Sequence, residues 1–127
     1  MLEKFLNNQK SDIWGIGIDI IEVERIRELI AKNDNFLRRM FTDDELKYCL
    51  GKKNQDERLA VRFAAKEAGW KAARIKGLAL RDIKIVKSTG GRPTLKCKDA
   101  RAKNLEFHVS LSHTSRYGCA MVIAVKK

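Results

Sequence analysis

The chain has 127 residues, of which 44% are apolar, so we interpret residues 1–127 as a single domain in which residues 1–12 form a leader. Lysine and arginine total 27 against 16 aspartates and glutamates, and the net charge of +11 attracts acidic partners without identifying them. No apolar run approaches the roughly 20 residues that span a bilayer, which argues against membrane insertion. Three scattered cysteines match no metal-site spacing and are typical of a cytoplasmic protein.

The segment IWGIGIDI, residues 13–20, predicts the first strand because it is rich in isoleucine and alternates. Gly15 and Gly17 share one face of this strand and leave it bare, which indicates close approach of another backbone. Asp19 falls on that same face, at the end of the predicted strand. Large apolar side chains occupy the opposite face: Trp14, Ile16, Ile18 and Ile20.

A helical period follows the first strand from about residue 21. Thr42 and Glu45 have the spacing of a capping box and predict the start of a short helix. A long helix is predicted from about residue 56 to residue 74. Its apolar stripe contains three residues: Leu59, Phe63 and Trp70. We expect Phe63 and Trp70, like Trp14, to lie in the core.

The remainder of the chain has the pattern of a sheet. Residues 83–87 and 94–97 flank a glycine-containing loop and predict a hairpin. Residues 105–112 alternate as a half-buried strand does, and residues 117–125 are almost wholly apolar, which predicts a central strand. A tight polar turn, residues 113–116, joins these two strands. The fold class is therefore α+β, a largely antiparallel sheet packed with one long helix and shorter helices.

Two acids are candidates for a functional site. Glu67 lies on the apolar stripe of the long helix, where an isolated carboxylate is costly unless it is paired, protonated or bound to a cation. Lys71 follows one turn later, so a structural ion pair is the alternative. Asp19 either lies in a cleft or stabilises the start of the following helix. Together Asp19 and Glu67 form a candidate Mg²⁺ site, since Mg²⁺ often takes one or two carboxylates plus substrate phosphates.

Basic and polar residues elsewhere suit phosphate groups. His113 stands in the segment SLSHTSR among hydroxyl side chains and an arginine, a composition that suits a phosphate. The alternative for His113 is a local hydrogen bond within the turn. Arg62 and Lys66, on either side of Phe63, either bind phosphate or are solvated charges.

Four motifs occur in a recognisable order: GIGIDIIEVERI, RFAAKEAGWKA, GRP and VSLSHT, the last followed by an apolar strand. From about Gly15 to Val125 the chain resembles the bacterial holo-acyl-carrier-protein synthase family, the short, single-domain class of 4′-phosphopantetheinyl transferases. The resemblance implies the fold of that family and a Mg²⁺-dependent reaction. In this reaction phosphopantetheine moves from coenzyme A to a serine of an acidic apo-acyl-carrier protein, adenosine 3′,5′-bisphosphate is released, and fatty acid biosynthesis is supported.

The resemblance also implies roles for particular residues. Asp19 and Glu67 fall where the family binds its metal, and Lys71 matches a lysine of the family's long helix. We expect Lys71 to stabilise or protonate the leaving phosphate. Glu67 is the expected general base, with Asp19 as the alternative. Arg25 falls where the family contacts the carrier protein. Five residues fall where the family binds coenzyme A: Arg62, Arg92, Pro93, His113 and Thr114. Family members are homotrimers whose active sites lie between neighbouring subunits.

The chain departs from the family pattern after the FAAKEA motif. Gly69 precedes Trp70 where a bulkier apolar residue is usual, and Trp70 is expected to fill the space. Residues 73–77 lack the usual turn of small residues. Three other functions compete: a basic nucleic-acid-binding module, an inactive interaction subunit, and a transferase domain that serves a large synthase. The first lacks the aromatic and zinc-finger motifs of its class, and the presence of both acids, the lysine and the histidine argues against the second.

Overall fold

The architecture comes from a computed structural model that describes Leu2 and residues 11–127, so the predicted leader falls almost wholly outside the described residues. Four α-helices follow the first strand: α1 (Val23–Lys32), α2 (Phe36–Met40), α3 (Asp43–Cys49) and α4 (Gln55–Ala73). The five strands are β1 (Ile13–Glu22), β2 (Ile83–Lys87), β3 (Pro93–Cys97), β4 (Leu105–His113) and β5 (Tyr117–Lys126). Among these residues no helix is long and apolar enough to cross a membrane.

The strands form two antiparallel sheets. One sheet has the order β1-β5-β4, and the other is the hairpin of β2 and β3. The apolar strand β5 is central in the larger sheet, as its sequence predicts. Helix α4 packs across β1 and β5 through its alanines, which are buried together with Val122 and Ala124 of β5. The α+β fold class with one long helix is therefore confirmed.

Glycines in β1 allow α4 to lie directly on the sheet. A Cβ at Gly15 would stand 2.1 Å from the carbonyl oxygen of Ala72, and a Cβ at Gly17 would stand 1.9 Å from that of Ala68. Both distances are far shorter than any real contact, so only glycine is compatible with this backbone approach. The close approach that the glycine pattern predicts is confirmed, and it brings Asp19 beside the same helix.

Gly17→Ala is expected to lower the free energy of unfolding by about 3 kcal/mol or more, because the added methyl group would meet backbone rather than a movable side chain. Urea unfolding followed by circular dichroism measures this loss. Gly90→Ala is the matched control, since a Cβ at Gly90 meets nothing within 4 Å. Its change should stay within about 0.5 kcal/mol. Equal stability of the two variants would contradict the packing argument.

The outer face of β1 is apolar and open to solvent in the single chain. Ile16, Ile18 and Ile20 are 61%, 62% and 65% exposed, and Met121 of the neighbouring strand β5 is 43% exposed. The strand also continues to Glu22. The prediction that Asp19 ends the strand is therefore wrong, because three further residues pair with β5 beyond it.

The predicted apolar stripe of α4 is not uniformly buried. Leu59 at the start of the helix is fully buried, but Trp70 is 42% exposed, so its assignment to the core is wrong. The alanine-rich faces of α4 are covered by the sheet and by the hairpin. Leu95 of the hairpin, rather than Trp70, occupies the space beside Gly69, where a Cβ would stand 2.6 Å from Leu95 Cδ1.

The unusual turn after α4 is held by an arginine. Arg74 ends the helix in the left-handed conformation (φ 54°), which normally favours glycine. Its guanidinium stacks 4.9 Å from the centre of the Trp14 ring and donates a hydrogen bond of 2.8 Å to the Trp14 carbonyl oxygen. These contacts to β1 offset the unfavourable backbone conformation.

A buried ion pair fixes α3 to α4 and to the hairpin. Thr42 and Glu45 form the predicted capping box, and Glu45 also accepts hydrogen bonds from Lys66 at 2.7 Å and from the Ile85 backbone at 3.1 Å. Lys66 is fully buried and further donates to the Ile83 carbonyl oxygen. Both interpretations of Lys66, as a solvated charge or as a phosphate ligand, are therefore wrong.

Candidate active site

Asp19, Glu67 and Lys71 come together where β1 crosses α4; we call them the acid–lysine cluster. The Lys71 ammonium group lies 3.2 Å from Asp19 Oδ1 and donates a hydrogen bond of 2.9 Å to the Ile18 carbonyl oxygen. Gly17, two residues before Asp19, allows the close contact of strand and helix that produces this geometry. The cluster is partly open to solvent, with Lys71 47% and Asp19 21% exposed.

The acid–lysine cluster carries more negative than positive charge. Burial, then the charge of Asp19, raises the pKa of Glu67 above its usual value, and Lys71 opposes this shift only in part. One lysine thus faces two carboxylates. Among the described residues no three histidine, cysteine, aspartate or glutamate side chains are grouped as metal ligands. The arrangement suits a cation that takes two protein carboxylates and completes its shell from other molecules.

A second site is an open groove of about 880 Å³ between the N-terminal half of α4, the hairpin and β4. We call it the basic groove because six of its lining side chains are basic groups: Arg58, Arg62, Lys87, Arg92, His108 and His113. Pro93 also lines it, so four of the five residues that the sequence assigned to coenzyme A lie along this groove. Thr114 does not line it. The Thr114 hydroxyl instead accepts hydrogen bonds from the backbone of Arg116 and Tyr117 within the turn.

Arg62 is the least accessible of these cations. It is 8% exposed, and the described residues offer it no carboxylate partner. Within the part of the chain that the structure describes, the Arg62 side chain donates one long hydrogen bond, of 3.4 Å, to the Arg58 carbonyl oxygen. Its guanidinium lies 4.2 Å from the centre of the Tyr48 ring. A buried cation without a counterion is costly, so Arg62 is suited to receive an anion from the groove.

Sequence reasoning missed several residues of the basic groove. Arg58 and Lys87 add positive charge, and Tyr48 lies among them. Glu57, which the sequence did not single out either, lies 3.3 Å from Nδ1 of His113. The position of Arg58 one turn before Arg62 was the available signal. Tyr48 and Lys87 are distant from Arg62 in sequence, and no local pattern links them.

Arg25 lies apart from both sites on α1. It is exposed and makes a long ion pair of 3.5 Å with Glu28 in the next turn. Beside it a shallow depression is lined by Ile20 and Tyr117 of the larger sheet. An exposed cation next to apolar side chains can contact an acidic protein surface.

The acid–lysine cluster and the basic groove do not meet within one chain. None of Asp19, Glu67 and Lys71 lines the groove. Arg62 and Glu67 are five residues apart on α4, which places them about 140° apart around the helix axis. One ligand in the groove of a single chain therefore contacts Arg62 on a face of the helix that points away from Glu67.

Comparisons with known proteins agree on one family. Residues 15–122 match the model of the 4′-phosphopantetheinyl transferase superfamily. A relative from Koribacter versatilis, named holo-[acyl-carrier-protein] synthase, is 41% identical over 121 residues, covering 87% of this chain and 97% of the relative.

Solved structures lead to the same family. A holo-(acyl-carrier-protein) synthase from Bacillus anthracis in complex with CoA (3′,5′-ADP) has a TM-score of 0.78 and 34% identity, covering 91% of this chain and 98% of its own. The Helicobacter pylori holo-[acyl-carrier-protein] synthase in complex with coenzyme A has a TM-score of 0.75 and 31% identity. The match covers 86% of this chain and 98% of the Helicobacter pylori chain. The chain belongs to the 4′-phosphopantetheinyl transferase superfamily.

Proposed function

We propose that this chain is a cytoplasmic, Mg²⁺-dependent enzyme of fatty acid biosynthesis. It transfers 4′-phosphopantetheine from coenzyme A to a serine of apo-acyl-carrier protein and releases adenosine 3′,5′-bisphosphate. The observation that carries the proposal is the presence of two sites on α4. One is a basic groove whose buried Arg62 has no carboxylate partner among the described residues, and the other is a carboxylate pair with a lysine. The first suits the phosphates of coenzyme A, and the second suits phosphoryl transfer. The structures of related synthases with coenzyme A support the same substrate.

Asp19 and Glu67 are the residues that would hold the Mg²⁺ ion. The donor set fits this ion, because both ligands are carboxylates. Burial, and then the charge of Asp19, raises the pKa of Glu67, so a cation at this position would be favourable. When bound, Mg²⁺ would neutralise charge on the pyrophosphate and act as a Lewis acid on it. Two protein carboxylates leave room for phosphate oxygens and water in its shell.

The protein groups have separate tasks in the proposed reaction. The serine hydroxyl of the carrier protein attacks the β-phosphorus of coenzyme A, and the bond from that phosphorus to the bridging oxygen breaks. Glu67 accepts the serine proton, a role that its raised pKa favours, and Asp19 is the alternative base. Lys71, held by Asp19 and Ile18, places its ammonium group where it stabilises or protonates the leaving phosphate. The basic groove holds the leaving adenosine bisphosphate.

A homotrimer would unite the two sites. Arg62 and Glu67 point in different directions from one helix, so a ligand that uses both must contact two subunits. The exposed apolar face of β1, formed by Ile16, Ile18 and Ile20, is the surface that such an assembly would bury. We infer that each active site combines the acid–lysine cluster of one subunit with the basic groove of its neighbour.

Arg25→Glu is expected to raise the apparent KM for the carrier protein about tenfold or more and to leave the KM for coenzyme A unchanged. Reversal of an exposed charge at an interface opposes an acidic partner without touching the nucleotide site. Steady-state kinetics with each substrate varied in turn measures both constants. Arg39→Glu is a matched control, since this exposed arginine on α2 lines neither the basic groove nor the depression beside Arg25. An unchanged carrier-protein KM in the Arg25 variant would remove Arg25 from the docking surface.

The experiment that tests the function is the intact mass of apo-acyl-carrier protein after incubation with this protein, coenzyme A and Mg²⁺. A gain of one phosphopantetheine group that EDTA abolishes would support both the reaction and the metal requirement. A gain that persists in EDTA would contradict the metal requirement alone. No gain with several carrier proteins, while circular dichroism reports a folded enzyme, would contradict the proposed function.

A further inference from the structure

We propose that Tyr48 is a positioning residue of the basic groove, which gathers Arg58, Arg62 and Lys87 into one phosphate-binding array without neutralising their charge. The inference rests on the proposed function, in which the groove holds the phosphates of coenzyme A. Tyr48 has no part in the reaction itself and acts through the cations it contacts.

The contacts of Tyr48 reach three structural elements. Its own helix is α3. The Arg62 guanidinium of α4 lies 4.2 Å from the ring centre, and the Lys87 ammonium group at the end of β2 lies 4.7 Å from it. The hydroxyl accepts a hydrogen bond of 3.2 Å from Nη1 of Arg58. Cations at these distances from an aromatic ring are attracted by its π-electrons. One side chain therefore contacts three cations that line the groove, and a fourth cation outside the lining, Lys52, lies 5.7 Å from the ring centre.

The aromatic character of Tyr48 explains how several cations can stay close together. Cations within reach of one ring repel one another, and no carboxylate among the described residues pairs with Arg62. An acid in place of Tyr48 would hold the cations together but would also cancel the charge that a phosphate needs. An aromatic ring attracts cations and keeps their net charge available. Lys87, and then Arg58, lowers the pKa of Tyr48 while burial opposes the shift, which indicates how positive its surroundings are.

The position of the ring is fixed by the buried framework of α3. Glu45, three residues before Tyr48, closes the capping box of α3 and pairs with the buried Lys66 of α4. Lys66 stands one turn after Arg62 on α4, so the same two helices that carry Tyr48 and Arg62 are tied together beneath them. The ring and the guanidinium are thus presented in a defined relation before any ligand binds.

The test is the dissociation constant of adenosine 3′,5′-bisphosphate, measured by isothermal titration calorimetry, together with kcat and KM for coenzyme A. Tyr48→Leu should raise both the dissociation constant and the KM about tenfold, the size of a desolvated cation–π contact, with kcat within about twofold of the wild type. Tyr48→Phe keeps the ring and loses one hydrogen bond, so we expect about a threefold rise. Lys47→Gln is the control: it removes an exposed cation from the same helix outside the groove and should change neither constant.

A double-mutant cycle separates positioning from a general structural effect. In an Arg62→Met background, Tyr48→Leu should weaken binding by less than about twofold, because the cation it chiefly positions is gone. If the losses of affinity caused by Arg62→Met and Tyr48→Leu multiply in the double variant, the inference is overturned. Wild-type affinity for adenosine 3′,5′-bisphosphate in a folded Tyr48→Leu variant would also overturn it. If Tyr48→Leu does not fold, Tyr48→Phe decides: the expected rise of about threefold in both constants supports the inference, and wild-type constants overturn it. Wild-type protein that fails to bind adenosine 3′,5′-bisphosphate would overturn the proposed function and the inference together, whereas unchanged binding by the Tyr48 variants overturns the inference alone.

Discussion

Replacing Glu67 with glutamine is expected to lower the rate of phosphopantetheine transfer by about a thousandfold or more while the protein stays folded. Glutamine is nearly isosteric, but it can neither accept the serine proton nor offer a charged oxygen to Mg²⁺. Loss of a general base alone costs on the order of a hundredfold to ten-thousandfold. The rate of mass gain by apo-acyl-carrier protein measures this change. Glu24→Gln is the matched control, because it makes the same change at an exposed residue of α1.

The stability of the Glu67 variant gives a readout that does not depend on activity. Burial and the charge of Asp19 raise the pKa of Glu67 in the folded chain, so stability falls as the pH rises through that pKa. Glutamine does not ionise, so the Glu67→Gln variant does not lose stability in this way as the pH rises. Without divalent metal the variant should resist urea more than the wild type at pH 7, and the difference should shrink toward about pH 4, where glutamate becomes protonated in both states.

Mg²⁺ should reverse the order of stability if the acids bind it. The metal binds only the folded chain, so it should raise the urea midpoint of the wild type and leave that of the Glu67 variant unchanged. Near-normal turnover in Glu67→Gln would contradict the assignment of Glu67 as ligand and base. Equal stabilisation of both proteins by Mg²⁺ would contradict its role as a ligand alone.

Mixing two inactive variants is expected to restore activity, and this is the second large effect. In the proposed trimer, Glu67 of one subunit and Arg62 of its neighbour serve the same active site. Glu67→Gln and Arg62→Met should each have little activity alone. Trimers assembled from an equal mixture should contain about one quarter of sites with both native residues, and should therefore recover about a quarter of wild-type turnover.

Co-expression of the two variants with different affinity tags, followed by tandem purification and the transfer assay, measures the recovery. The matched control pairs Glu67→Gln with Asp19→Asn. Both residues belong to the acid–lysine cluster of one subunit, so each site would still lack one acid and activity should stay low. No recovery in the first mixture, with mixed trimers present, would show that the two sites do not act across subunits. Recovery of activity in the mixture of Glu67→Gln and Asp19→Asn would contradict the assignment of both acids to the acid–lysine cluster of one subunit.

Much of the fold could be predicted because it follows from patterns within short stretches of the sequence. Alternation in residues 105–112 and the apolar run in residues 117–125 predicted β4 and the central strand β5. The spacing of Gly15 and Gly17 predicted a close backbone contact, since only a missing side chain permits one. The capping box of Thr42 and Glu45 could also be predicted, because both partners lie within one helical turn.

Local patterns could not predict which apolar faces of the strands and helices are buried in the single chain. The isoleucines of β1 have the pattern of a core face, yet they are exposed in the single chain, because α4 packs on the glycine side. Trp70 shared a stripe with Leu59, but the alanine-rich faces of α4 allow a closer approach to the sheet and are the ones buried. Periodicity identifies a face and does not say which partner covers it.

For the candidate site, the sequence by itself indicated the family and candidate residues, and the tertiary structure decided which side chains lie next to one another. The order of the motifs indicated the family, and the resemblance then assigned the acids Asp19 and Glu67 and four residues that line the basic groove: Arg62, Arg92, Pro93 and His113. Lys66 became a buried partner of Glu45, and Tyr48 became the centre of a cation array, only through packing. Such contacts join segments that are distant along the chain, so their energies depend on how helices and strands meet rather than on any local pattern.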